Sequence, residues 1–284
     1  MNITTTYAIS KVHIRRGLMA SALAALFVLT LRQNVRGRRL LVLSLLFLLP
    51  VILAGAVKLA QPFPPPPDAL VFAFVFNLIP HALAPLTALL YAAGAIQDEV
   101  EEQTLTYLLV RPLPRWALYV TRLAAAWLTT SVLTGLFTTL TMIVAYWDTL
   151  ELWGDVIPRR AAIMAGILAL AQLGYCSLFG LIGLLTRRAL FAGLAYIVAI
   201  EGLLSNFDAV IRRLTVTYYY RVLLLHWLGP LRSDLVKEWS IDLATTPSAD
   251  ECLLTLLIVS ASFTLLGAAI MRQREFRMKT AEGR

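Results

Sequence analysis

Six stretches of this chain are apolar for long enough to cross a lipid bilayer, and that repetition constrains the fold more than any other feature. They run roughly over 40–60 ("LLVLSLLFLLPVILAGAVKLA"), 69–96, 116–147, 161–186, 189–207 and 251–271. A hydrocarbon core needs about 20 largely apolar residues of helix to span it. Within it, each backbone N–H and C=O must be satisfied inside the segment, so helices are expected. Composition agrees: 59% of the 284 residues are hydrophobic and 15% charged, against about half and a quarter in a soluble domain. The expectation is an all-α polytopic membrane protein with six transmembrane helices.

Seventeen of the 25 Lys and Arg residues fall on one side of such a six-span arrangement. The cluster "RQNVRGRR" at 32–39 dominates that side, which the positive-inside bias assigns to the cytoplasm. Both termini are then cytoplasmic, in a cell (inner) membrane. The formal charge of +8 would raise nucleic acid as a partner of a soluble chain. Here the basic residues sit at span ends, so membrane lipid is the expected contact and nucleic acid is not.

Residues 1–39 form the cytoplasmic N-terminus. Within it, Gly17–Leu31 ("GLMASALAALFVLTL") follows Lys11, Arg15 and Arg16 in the manner of a signal peptide, but a basic run replaces the cleavage site. Fifteen apolar residues with basic flanks fit an interfacial elbow helix better than a seventh span. The permease-like body is 40–271, and 272–284 is a cytoplasmic tail. "QPFPPPPD" reads as a stiff outer link, since consecutive prolines cannot continue a helix. The outer connection 208–250 carries "YYY" and "VLLLHWLGPL", which suggest short helices resting on the interface or dipping into it. Cys176 and Cys252 lie too far apart in sequence to suggest a disulfide framework or a metal set.

Between the second and third spans the chain reads "AIQDEVEEQTLTYLLVRPLPR" (95–115). Asp98 and Glu101 have the spacing of a capping box, and the acidic residues would lie at the positive end of a helix dipole. Leu105, Leu108 and Leu109 recur on one helical face, and Pro112 and Pro114 end the element. A short amphipathic helix over 97–111, parallel to the membrane on the cytoplasmic side, is the expected product. Its Leu face calls for a partner groove or headgroups.

This stretch resembles the signature of type-2 ABC transporter permeases, roughly I-x-x-E-x-E-x-G-T-L-x-x-L-L-x-x-P-x-x-R. Ile96, Glu99, Glu101, Thr104, Leu105, Leu108, Leu109, Pro112 and Arg115 fall on its fixed positions, and Arg122 on a trailing basic one. Gln103 stands where the family has Gly, which favours the helix. The basic elbow, the six spans, the long connection before the last span and the tail "RQREF" extend the resemblance over nearly the whole chain. The likeness is greatest to multi-copper-enzyme-maturation and gliding-type export permeases. It implies an exporter in which two permease subunits, alike or different, line the pathway, and 97–111 is a coupling helix seated in a separate ABC ATPase. Glu99, Glu101, Glu102, Thr104, Leu105, Leu108, Pro112 and Arg115 would carry the docking. The chain has no G-x-x-x-x-G-K-[ST] cradle, so this subunit is expected to be neither an enzyme nor a cofactor binder. ATP and Mg belong to the partner.

Ionisable groups within spans are functional candidates because leaving them uncompensated is costly. Asn77 and His81 in the second span and Glu201 in the fifth are the candidate pathway or gating residues. A His81–Glu201 contact, or a shared lining with Asn77, is sterically allowed. Pro80 and Pro85 should bend the second span. In the fourth span Gly166, Gly174, Gly180 and Gly183 are expected to allow close helix packing, and Gln172 and Tyr175 to bond across helices. Two other readings compete with transport. One is a membrane assembly or anchor protein without a transport cycle; the other is a lipid-acting enzyme using His81 and Glu201 as acid and base.

Overall fold

The computed structural model describes residues 3–60, 65–95, 114–149, 154–186, 188–203, 210–228, 239 and 246–273, with side chains from Ser21 onward. The described elements are all helical. They are α1 (Ile3–Arg36), α2 (Arg38–Ala60), α3 (Pro67–Ala93), α4 (Arg115–Ala145), α5 (Val156–Leu185), α6 (Ala189–Leu203), α7 (Val216–Trp227) and α8 (Ala249–Gln273), with a 3-10 turn at Val210–Leu214 before α7. Five of them, α2, α3, α4, α5 and α8, are long and apolar enough to cross a membrane. The molecule is a polytopic helical membrane protein.

The elements start and stop where local chemistry dictates. Pro67 opens α3 with its φ preset and no orphaned N–H, and Asp68 sits in its first turn. Extended Pro114 precedes α4. At α7 the Thr215 hydroxyl accepts the Tyr218 N–H at 3.2 Å, an ordinary N-cap. The α8 start is a reciprocal capping box. Ser248 N–H donates to Glu251 Oε2 at 2.9 Å, and Glu251 N–H donates to Ser248 Oγ at 3.3 Å.

Of the expected fifth span, 189–207, residues 189–203 are described and form α6; 204–207 lie outside the described residues. Glu201 of α6 takes the first backbone N–H groups of α7 as partners. The outer connection is more embedded than expected. Val216–Leu225 of α7 is almost wholly buried, packed on α5 and α8. Val216 would touch a Cβ at Gly174 of α5 at 3.5 Å and lies near Ser260, midway along α8. α7 therefore begins at mid-height of the bundle.

α5 is the central helix and packs on α3, α4, α6, α7 and α8. Its glycines serve different ends. A Cβ at Gly183 would stand 3.1 Å from the Ala93 Cα, so α3 and α5 approach backbone to backbone there. Gly166 faces nothing within 4 Å, so the close packing expected at that position is absent. Gln172 and Tyr175 do bond across helices. Gln172 Nε2 donates to Ala84 O at 3.0 Å and to Thr87 Oγ1 at 3.2 Å, and the Tyr175 and Thr217 hydroxyls are 3.1 Å apart. In α4, Thr129, Thr134 and Thr141 return their hydroxyls to carbonyls four residues back, which hides polarity inside the bundle.

α3 departs from a regular α-helix: Phe72–Leu83 and Leu89–Ala93 are wound as π-helix. Pro80 and Pro85 each remove a donor that would close a turn, so the expected distortion takes the form of widened turns.

The two ends of the bundle differ. Where the prolines lie, Lys58 of α2 donates to Asp148 beyond α4. At the same end the Tyr146 hydroxyl donates to Asp68 and accepts from Arg160 Nη1 at 3.0 Å. At the other end lie Arg38, Ala95, Arg115 and Leu185. α1 packs on α4, with Asn34 Nδ2 donating at 3.2 Å to Thr129 Oγ1, midway along that helix. α4 has 31 residues and is about 46 Å long.

Candidate functional site

Two places attract attention: the root of the acidic segment and a polar cluster at mid-height. The helix expected over 97–111 lies outside the described residues, and so do Glu99, Glu101, Glu102, Thr104, Leu105, Leu108 and Pro112. Both flanks are described. Helical backbone of α3 continues to Ala95, and α4 starts at Arg115, half-buried beside exposed Trp116. Arg122, two turns into α4, donates from Nη1 to Ala95 O at 2.9 Å. The guanidinium thus ties the last described turn of α3 to α4 through the backbone.

The second place is built on α3. His81 Nδ1 lies 2.9 Å from Asn77 O, and Nε2 meets Arg221 Nη2 from α7. A carbonyl only accepts and a guanidinium only donates. Nδ1 therefore carries the hydrogen, Nε2 offers its lone pair, and the imidazole is neutral. The Asn77 side chain donates to Phe72 O at 3.2 Å and accepts from Trp239 Nε1 at 3.3 Å. Arg221, 6% exposed, stacks its Cζ 5.4 Å from the Trp239 ring centroid, a favourable cation–π distance. Phe72 and Phe76 hold that indole from the α3 side, with centroids at 6.0 and 6.4 Å.

Glu201 is fully buried. Its Oε1 accepts the Val216 N–H at 3.0 Å and the Tyr196 hydroxyl at 3.2 Å, and its Oε2 accepts the Thr217 N–H at 3.2 Å. A carboxylate on the first N–H groups of a helix meets both free donors and the positive end of the dipole. Glu201 also lies within electrostatic reach of Arg221. His81 and Glu201 do not bond each other. They share one polar cluster through Arg221, which ties α7 to α3 while Glu201 ties α7 to α6.

The sequence reading placed Asn77, His81 and Glu201 in play and missed Arg221, Trp239, Tyr196 and Thr217. A signal was present: an arginine inside "YYYRVLLLHW" is as anomalous as a histidine inside a span. Chemically, the cluster is a set of engaged donors and acceptors. Both His81 nitrogens are occupied, the arrangement of a structural histidine rather than a free acid or base. Among the described residues no group of three or more His, Cys, Asp or Glu is placed to hold a metal. No protein-family model matches the chain, and no curated protein is similar to it.

Proposed function

We propose that this chain is the membrane permease subunit of an ATP-binding-cassette exporter of the type-2 kind. Its stroke is driven by ATP and Mg bound in a separate ATPase subunit. The observation that carries this reading is the 96–115 sequence, with Glu99, Glu101, Thr104, Leu105, Leu108, Pro112 and Arg115 in the register of the family's coupling helix. The positive-inside bias puts that segment, the N-terminus and the tail in the cytoplasm, the side on which an ATPase must sit. A second permease subunit would complete the pathway. The built flanks support the reading: α3 and α4 are long helices whose adjoining ends, Ala95 and Pro114, frame the segment. In this reading Asn77, His81 and Glu201 belong to the moving body, as parts of a clasp between α3, α6 and α7.

Expression together with the neighbouring reading frames, followed by detergent extraction, provides the test. An ATPase should co-purify, and the double variant Glu101→Ala, Leu105→Ala should lower its recovery and its ATP turnover. A complex in which residues 97–111 contact no other polypeptide would sink the idea. So would labelling of a Gln103→Cys variant from outside the cell.

A further inference from the structure

The last described turn of α3 is held from three directions. From α4, Arg122 Nη1 donates to Ala95 O at 2.9 Å. From α2, the Arg39 guanidinium lies against Gly94; a Cβ there would clash with its Nη1, so the flexible tip would have to shift. From α1, the carbonyl of Asn34 accepts the Tyr91 hydroxyl at 3.4 Å, and its side chain donates to Thr129 of α4 at 3.2 Å. Two cations therefore face the last described turn of α3. Residues from four helices converge within the last turn before the acidic segment.

Resting on the function proposed above, we infer that Arg122 is the positioning residue that makes α1, α2, α3 and α4 move as one body when the 96–113 segment is pushed. The argument is mechanical. A helix end fixed only by apolar side chains can slide or rotate, because dispersion contacts are non-directional. A charged donor on a backbone carbonyl fixes both height and azimuth, and charge-assisted bonds are the strong ones. The brace joins the two helices that flank the segment, so force entering either flank is shared by both. The Arg39 guanidinium at Gly94 and the Tyr91–Asn34 bond hold the same turn. The paired charges at the proline end, Lys58–Asp148 and Arg160–Asp68, connect side chains only; the brace at the arginine end grips backbone.

The test uses the complex co-purified with its ATPase and reconstituted in lipid nanodiscs. A Trp147→Cys variant carries an environment-sensitive fluorophore at the far end of α4; Trp147 is 73% exposed, while Cys176 and Cys252 are buried. ATP with Mg should change the fluorescence. Arg122→Ala should cut that change about tenfold, the scale of a lost charge-assisted hydrogen bond, while the partner still hydrolyses ATP. Arg122→Lys keeps a charged donor and should restore part of the signal. Gly94→Ala, which crowds Arg39, should give a smaller loss. Full-size signals in both Arg122→Ala and Gly94→Ala overturn the inference. If no ATPase co-purifies, the proposed function falls, and the brace is judged by amide hydrogen exchange over 91–95. Faster exchange in Arg122→Ala supports the brace, and unchanged exchange overturns it.

Discussion

Helices α5 and α2 are both of membrane length, yet they are built on opposite plans. In α5 72% of the most apolar window is buried at a mean hydropathy of 1.9; in α2 only 22% is buried at 2.8. The central helix is the less apolar of the two. It carries Gln172, Tyr175 and Ser177 among its buried residues, while α2 exposes Leu41, Val42, Leu45 and Ile52. In water this order would be reversed. In lipid, apolar packing between helices has no solvent-driven advantage, so interiors are specified by small residues and hydrogen bonds, and lipid-facing surfaces by plain hydrocarbon.

That contrast can be broken by substitution, with the interior expected to be far more sensitive. Glu201→Ala would leave the Val216 and Thr217 N–H groups buried without their carboxylate acceptor and remove the negative charge within reach of Arg221. The expected loss is about 3–5 kcal/mol, read as a fall in unfolding midpoint in detergent and faster hydrogen exchange at 216 and 217. Gly183→Leu must push α5 away from the α3 backbone at Ala93, costing about 1–3 kcal/mol. Gln172→Leu removes two bonds to α3 and should cost about 0.6–1.7 kcal/mol by the same unfolding assay. If either α5 variant is as stable as the wild type, the interior is less specified than its geometry implies.

The proline end should respond weakly. The Lys58 hydrogen bond holds the Asp148 carboxyl below its ordinary value. A depressed folded value stabilises above the ordinary carboxylate range, and the effect disappears as pH falls through that range toward the folded value. Asp148 is largely exposed, so solvent and salt screening limit Lys58→Ala to less than about 1 kcal/mol, less still at high salt. Smallest of all, Leu45→Ala on the exposed face of α2 should stay within about 0.5 kcal/mol. A larger loss there would show that α2 is covered by protein rather than by lipid.

Five of the six expected spans were legible from hydropathy because an uninterrupted apolar run leaves a helix no alternative in hydrocarbon. The remaining one, 189–207, is described only to Leu203, and its hydropathy says nothing of what Glu201 binds. "YIVAIEGLLSNFD" is apolar throughout, and nothing local reveals that Glu201 turns to a helix start some fifteen residues later. Pro80 and Pro85 announced a distortion of α3, but a proline removes a donor without saying whether the backbone kinks or widens. Gly183 and Gly166 look alike in sequence; only the neighbouring helix decides that one touches Ala93 and the other touches nothing. His81 and Asn77 stood out as polar groups in apolar surroundings. Arg221 was hidden because it was counted among the basic residues of an outer connection, whereas it reaches the middle of the bundle.

Glu201 belongs to one short helix and its backbone partners to another, and both peptide groups it holds lie at mid-height. The two halves cannot separate gradually. Parting them exposes an anion and two amides at once, and all three demand hydration together. Opening at this seam would therefore require water to replace the bonds that the carboxylate and the two amides now make to each other.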